Sequence, residues 1–144
     1  MSAMKTHYVY DLSEPESPSR VGKKAENLQF LTRRGYRTPR TLVCSWTAHQ
    51  EYLEDRQDLI PNLRAELARR LDPELAYAVR SSANVEDGLV HSFAGQFKSV
   101  LDVRGLDRVL EAIWAVWASA QSAEVKAYLD RNGFDPGNLR MGVV

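Results

Sequence analysis

One cysteine, Cys44, stands in 144 residues, so no internal disulfide can form and a reducing, cytoplasmic setting is expected. Histidine is scarce too. His7, His49 and His91 are dispersed, with no H-x-x-x-H spacing and no His/Cys cluster, so no metal site is assigned. Neither sign of charge dominates: Lys+Arg and Asp+Glu number 19 each. That balance argues against broad binding to nucleic acid or to an acidic membrane surface, although it leaves room for a local cationic pocket. No run approaches the roughly 20 apolar residues of a membrane helix, and Met1 to Tyr10 lacks the basic start and apolar core of a signal peptide. Hydrolase chemistry of the G-x-S-x-G type is excluded by the absence of that motif. The Walker A spacing is absent as well.

What is present suits one soluble domain with a real core: 44% of residues are hydrophobic and 26% charged. His7 to Tyr10 reads as a short strand and Asp11 to Arg20, with its two prolines, as a loop. Ala25, Leu28 and Leu31 recur at helical spacing and predict a helix from about Lys24 to Arg34, closed by Gly35. A strand is expected over Thr41 to Cys44. A helix over Ala48 to Arg56 follows, capped by Ser45 or by Thr47, which has Gln50 in capping-box position. Pro61 suits the first turn of another helix carrying Leu63, Leu67 and Leu71. Leu106, Val109, Leu110, Ile113, Trp114 and Trp117 form one helix face. A last helix spans Ala123 to Asn132, closed by Gly133, and Asn138 to Val144 reads as the start of a strand.

The chemistry-bearing stretch is Val79 to Gln96, V-R-S-S-A-N-V-E-D-G-L-V-H-S-F-A-G-Q. An apolar strand, Ala76 to Val79, runs into a cation and two hydroxyls, Arg80-Ser81-Ser82. Such a guanidinium is expected to be buried or half-buried and therefore paired. Glu86 or Asp87 is one partner, and a phosphate, which suits the planar Arg fork, is the other. Adjacent serines point to opposite sides of a strand, so at most one of Ser81 and Ser82 faces a ligand. The loop Ser92-Phe93-Ala94-Gly95-Gln96 is small enough for its backbone N–H groups to approach an anion. Phe97 to Val103 reads as a second strand, hairpin-like with the first. Lys24 falls in a first helical turn, where the dipole disfavours a cation and favours a nearby anion.

V-G-K-K-A-E-N-L resembles the G-G-K-x-x-N-L motif that opens the ATP-binding domain of the phosphoenolpyruvate synthase, pyruvate phosphate dikinase and rifampicin phosphotransferase family. A-V-R-S-S-A-N-V-E-D, S-F-A-G-Q-F and the closing L-R-M-G-V-V resemble its later motifs, in the same order from about Tyr8 to Val144. The resemblance implies an α+β fold: the N-terminal portion of an ATP-grasp-like domain, with a mixed sheet and flanking helices, in residues 1–144. It implies ATP as ligand, with Lys24 and Arg80 on the phosphates, and Ser92, Gly95, Gln96 and Ser99 in the segment that covers them. Arg80 also takes the catalytic role of stabilising charge on transfer. In the family, ATP phosphorylates a histidine that passes phosphate to pyruvate or another acceptor. Magnesium ligands lie in a second half of the domain, so that half and a phosphohistidine domain are the implied partners, and the chain alone is expected to be inactive. One departure is Lys23, where the family has its second glycine. The alternative is a stand-alone, non-catalytic module that binds a nucleotide or a protein.

Overall fold

The computed structural model describes residues 7–14, 21–84, 98–131 and 133–144. Five strands and five α-helices follow along them: β1 (Val9–Asp11), α1 (Lys23–Arg33), β2 (Leu42–Cys44), α2 (Trp46–Leu53), α3 (Leu59–Arg70), β3 (Ala76–Ala83), β4 (Ser99–Arg104), α4 (Leu106–Ala120), α5 (Ala123–Arg131) and β5 (Met141–Val143). The strands form one sheet in the order β1-β2-β5-β3-β4. The α+β class is as expected, but the described pairings are antiparallel throughout rather than mixed. The reason is β5. The last strand inserts between β2 and β3 and runs against both.

Alternation along β5 sorts the two faces of the sheet. Met141 and Val143 are buried with Val79, Ala83 and Val103 in the larger core, beneath α2 to α5. Gly142 and Val144 face the other way, where α1 covers a smaller core of Leu12, Val21, Ala25 and Val43. The α4 face read from the sequence is the backbone of the larger core: Val109, Leu110, Ile113 and Trp117 are buried, and Leu106 and Trp114 pack at its edge. Trp117 is fully buried, with the Tyr52 and Trp114 rings at 5.0 and 5.2 Å.

Local chemistry sets the element ends. α1 stops in a Schellman arrangement, in which Gly35 at φ 84° donates to Thr32 and Tyr36 donates to Leu31. α2 starts earlier than expected, at Trp46, with Ser45 as N-cap by backbone. Neither Ser45 nor the Thr47 capping box supplies a side-chain cap. Glu66 of α3, almost fully buried, accepts the N–H groups of Tyr8 at 2.9 Å and Val9 at 3.0 Å through Oε2. That carboxylate ties α3 to the start of β1. Tyr8 in turn donates its hydroxyl to Glu51, and burial, then the Glu51 hydrogen bond and charge, push its pKa up to about 12.

Candidate functional site

The site is built where the chain before α1 crosses the sheet. Gly22 takes φ 89°, a conformation open chiefly to glycine. A Cβ there would lie 2.1 Å from the Ser82 carbonyl oxygen, so no side chain fits without moving β3. Gly142 of β5 lies under the same crossing, where its Cβ would meet the Val21 oxygen at 2.5 Å. Two glycines thus allow the Val21–Gly22 backbone to rest on the backbones of two strands. Gly142 stands within L-R-M-G-V-V, a motif that by itself assigns it no role. A glycine inside a strand pattern was the available signal of close backbone approach.

That contact brings the start of α1 to β3. Gly22 is the N-cap and has no side chain to satisfy the helix's free N–H groups. Ser82 does so from the strand, its Oγ accepting from Ala25 N at 3.1 Å. Ser82 is fully buried in this role. Ser81 is buried on the opposite face, opposite Val143 in register. The two serines do point to opposite sides. On the α1 face Ser82 Oγ serves the helix as an acceptor.

Lys24, in the first turn of α1 and half-buried, reaches back to β3, and its Nζ donates to the Ser81 carbonyl at 2.8 Å. This carbonyl contributes to holding a cation at an otherwise unfavourable helix end. Lys23 is the first helical residue, and a helical backbone requires no glycine.

Arg80 is exposed. The expected burial does not hold, because the apolar run before it is itself poorly covered, with Ala76 and Ala78 exposed. Its backbone is nonetheless well fixed: Arg80 N donates to Val144 O, and Arg80 O accepts from Val144 N, both at 2.8 Å. On its other side it stands opposite Ser99 of β4, which is also exposed. By strand alternation Arg80 and Ser82 share the α1 face of the sheet, and cross-strand pairing puts Ser99 on that face too. Lys24 thus reaches the strand that carries Arg80, and Ser99 stands beside Arg80 in register. Ser92, Gly95 and Gln96 lie outside the described residues, as do Glu86, Asp87 and His91. Among the described residues no group of three or more His, Cys, Asp or Glu could hold a metal ion.

The sequence has counterparts among known proteins. The family model described as the pyruvate phosphate dikinase AMP/ATP-binding domain matches residues 55–144, more than half of the chain. The chain belongs to that family. The matched span contains Arg80 and Ser99, whereas Lys24 precedes it. Sequence similarity to individual relatives reaches further. The chain is 36% identical over 129 residues to the rifampicin phosphotransferase of Streptomyces sviceus, covering 90% of this chain and 15% of that protein. It is 38% identical over 106 residues to the phosphoenolpyruvate synthase of Pyrococcus furiosus, covering 73% and 12% respectively. It is 32% identical over 136 residues to the prodigiosin synthesizing transferase PigC of Serratia marcescens, covering 77% and 15%. The chain thus spans 12% to 15% of the length of these three relatives.

Outside the AMP/ATP-binding motifs, one residue emerges only in three dimensions. His49 of α2 is fully buried, and its Nδ1 accepts from Met141 N at 3.1 Å, which pins α2 to the start of β5. Burial, with a smaller contribution from the Arg140 charge, lowers its pKa to about 4. The ring is therefore neutral at pH about 7 and carries its proton on Nε2. It is a structural histidine. Among the described residues no helix is long and apolar enough to cross a membrane.

Proposed function

We propose that this AMP/ATP-binding chain is the phosphate-contacting wall of an ATP site in a phosphotransferase that moves phosphate from ATP, through a phosphohistidine, to pyruvate or another acceptor. The observation that supports it best is that the Gly22–Ser82 contact brings Lys24 to the strand that carries Arg80, with Ser99 beside it. Two cations and a hydroxyl at a helix N-terminus form an arrangement suited to a polyphosphate. Lys24 and Arg80 neutralise the phosphate oxygens, and Arg80 stabilises the charge that develops as the phosphoryl group leaves. Ser99 donates a hydrogen bond, and Ser92, Gly95 and Gln96 close over the phosphates with backbone N–H groups. Magnesium, when bound, would neutralise the same oxygens. Its ligands belong to the second half of the domain, which with a phosphohistidine domain completes the working protein.

Alone, the chain binds ATP weakly and does not turn it over. Calorimetric titration with ATP and magnesium tests the assignment. Lys24→Ala and Arg80→Ala should each weaken binding by roughly tenfold or more, the scale of one charge-assisted hydrogen bond. Affinity unchanged in both variants would remove the two cations from the site. Tight, magnesium-dependent binding by the chain alone would overturn the half-site reading.

A further inference from the structure

Exposed apolar residues are unevenly placed. Of the seven large ones among the described residues, Phe30, Leu31 and Tyr36 fall at the C-terminal end of α1 and in the turn after it, and Leu53 and Ile60 flank the turn from α2 to α3. Each group is set among charges of one sign, and the signs are opposite.

The first group is cationic. Asn27 to Gln50 holds four arginines and no Lys, Asp or Glu, so in a chain with 19 charges of each sign the remainder is net acidic. Arg40 lies 3.5 Å from Asp11. Arg33, Arg34 and Arg37 are exposed and form no ion pair among the described residues. Arg34 lies over the Phe30 ring, 4.8 Å from its centre. The helix dipole accounts for a cation in the last turn of α1. It does not account for Arg37 beyond the helix, or for three exposed apolar side chains. Arginine beside aromatic rings is the composition of an interface centre.

The second group is anionic. Asp55 and Asp58 are exposed between Leu53 and Ile60 and form no ion pair among the described residues, whereas Glu54 is paired with Arg56 at 3.2 Å. α1 covers one face of the sheet, and α2 and α3 cover the other. The two groups therefore cannot meet within one chain.

We propose that each group docks on the other in a second copy of this chain: the Phe30–Arg37 end of one copy seats against the Leu53–Ile60 turn of the next. Arg33, Arg34 and Arg37 are matched by Asp55 and Asp58, and the apolar side chains close the centre of the contact. The contact is heterologous, so copies join head to tail. A nucleic acid is the poorer occupant, because the patch is short and the acidic remainder of the chain repels a long polyanion. The contact uses the C-terminal end of α1, leaves the Lys24 end open, and does not rest on the nucleotide reading.

Sedimentation equilibrium of the full chain tests this. In about 20 mM salt the average mass should rise with concentration, and in about 1 M salt, where the screening length falls to about 3 Å, it should return to that of the monomer. Arg33→Glu/Arg34→Glu/Arg37→Glu and, separately, Asp55→Asn/Asp58→Lys should each stay monomeric at low salt. Asparagine tolerates the φ of 54° at Asp55. An equimolar mixture of the two variants should associate again. Phe30→Ser and Ile60→Ser, which change no charge, should each weaken association by about fivefold or more. A wild-type chain that stays monomeric at low salt, or a variant mixture that does so, would overturn the proposal. Unchanged association in both serine variants would also overturn it, because unspecific charge attraction would then be holding the copies together.

Discussion

The two halves of β3 differ in every respect that matters here. Ala76 to Val79, apolar by sequence, pairs with β4 and leaves Ala76 and Ala78 exposed. Ser81 to Ala83, all of it polar or small, pairs with β5 and is buried. Arg80 stands where the ladders meet, with Ser99 on one side and Val144 on the other. Burial therefore follows which neighbours arrive. Ser82 is buried because Gly22 lets the segment before α1 lie directly on the strand and gives Ser82 a helix to cap, whereas Ser81 is buried on the other face, opposite Val143. Ala76 and Ala78 are exposed in the half of β3 whose register is with β4.

The largest test of that contrast is Gly22→Ala. The added Cβ collides with the Ser82 carbonyl and the backbone keeps a positive φ, so a loss of about 3 kcal/mol is expected in urea unfolding. Gly35→Ala is the control. Its φ of 84° is similar but no atom lies within 4 Å, and only the strain of about 1 kcal/mol should appear. Equal losses in the two would show that the crossing contributes nothing.

The buried end of β3 is also the acid-sensitive end, because Met141, opposite Ala83, donates to His49. The folded chain binds the His49 proton only near pH 4, the unfolded chain near pH 6.5. Protons therefore favour the unfolded state across that interval. Stability is full above about pH 6.5 and falls by roughly 3 kcal/mol as the pH drops through about 4. His49→Gln should flatten that slope in a series of urea midpoints. An unaltered slope would place the acid sensitivity elsewhere.

A smaller effect is expected of Ser82→Ala, which leaves Ala25 N without its acceptor. The loss of a cap amounts to about 1 kcal/mol of stability. Ser82→Thr, which keeps the hydroxyl, should recover part of it. The smallest change belongs to the exposed half: Ala78→Ser should shift stability by no more than about 0.5 kcal/mol. A larger loss would mean that this edge is already covered in solution.

Much of this was legible in the residues. The 3.6-residue spacing of Leu106 to Trp117 gave α4 its buried face, and the β3–β4 hairpin-like pair could be read from two apolar runs. The resemblance pointed to Lys24, Arg80 and Ser99; in the fold Lys24 bonds to the Ser81 carbonyl and Ser99 stands opposite Arg80. Other features had no local signal. Nothing near Met141 says that its strand sits in the middle of the sheet, since strand order is a long-range property. His49 looks like any scattered histidine until Met141 donates to it across the core. The burial expected for Arg80 was inferred from apolar neighbours whose own cover is incomplete.

The sequence by itself determined the elements, their amphipathic faces and the cations of the candidate site, because periodicity, caps and short motifs are written within a few residues of one another. Only the tertiary structure decided that β5 separates β2 from β3, that Gly22 and Gly142 share one crossing, and which half of β3 is buried. Those outcomes depend on backbone contacts between residues as far apart as Gly22, Ser82 and Gly142. Close packing of distant segments, and not local preference, fixes them.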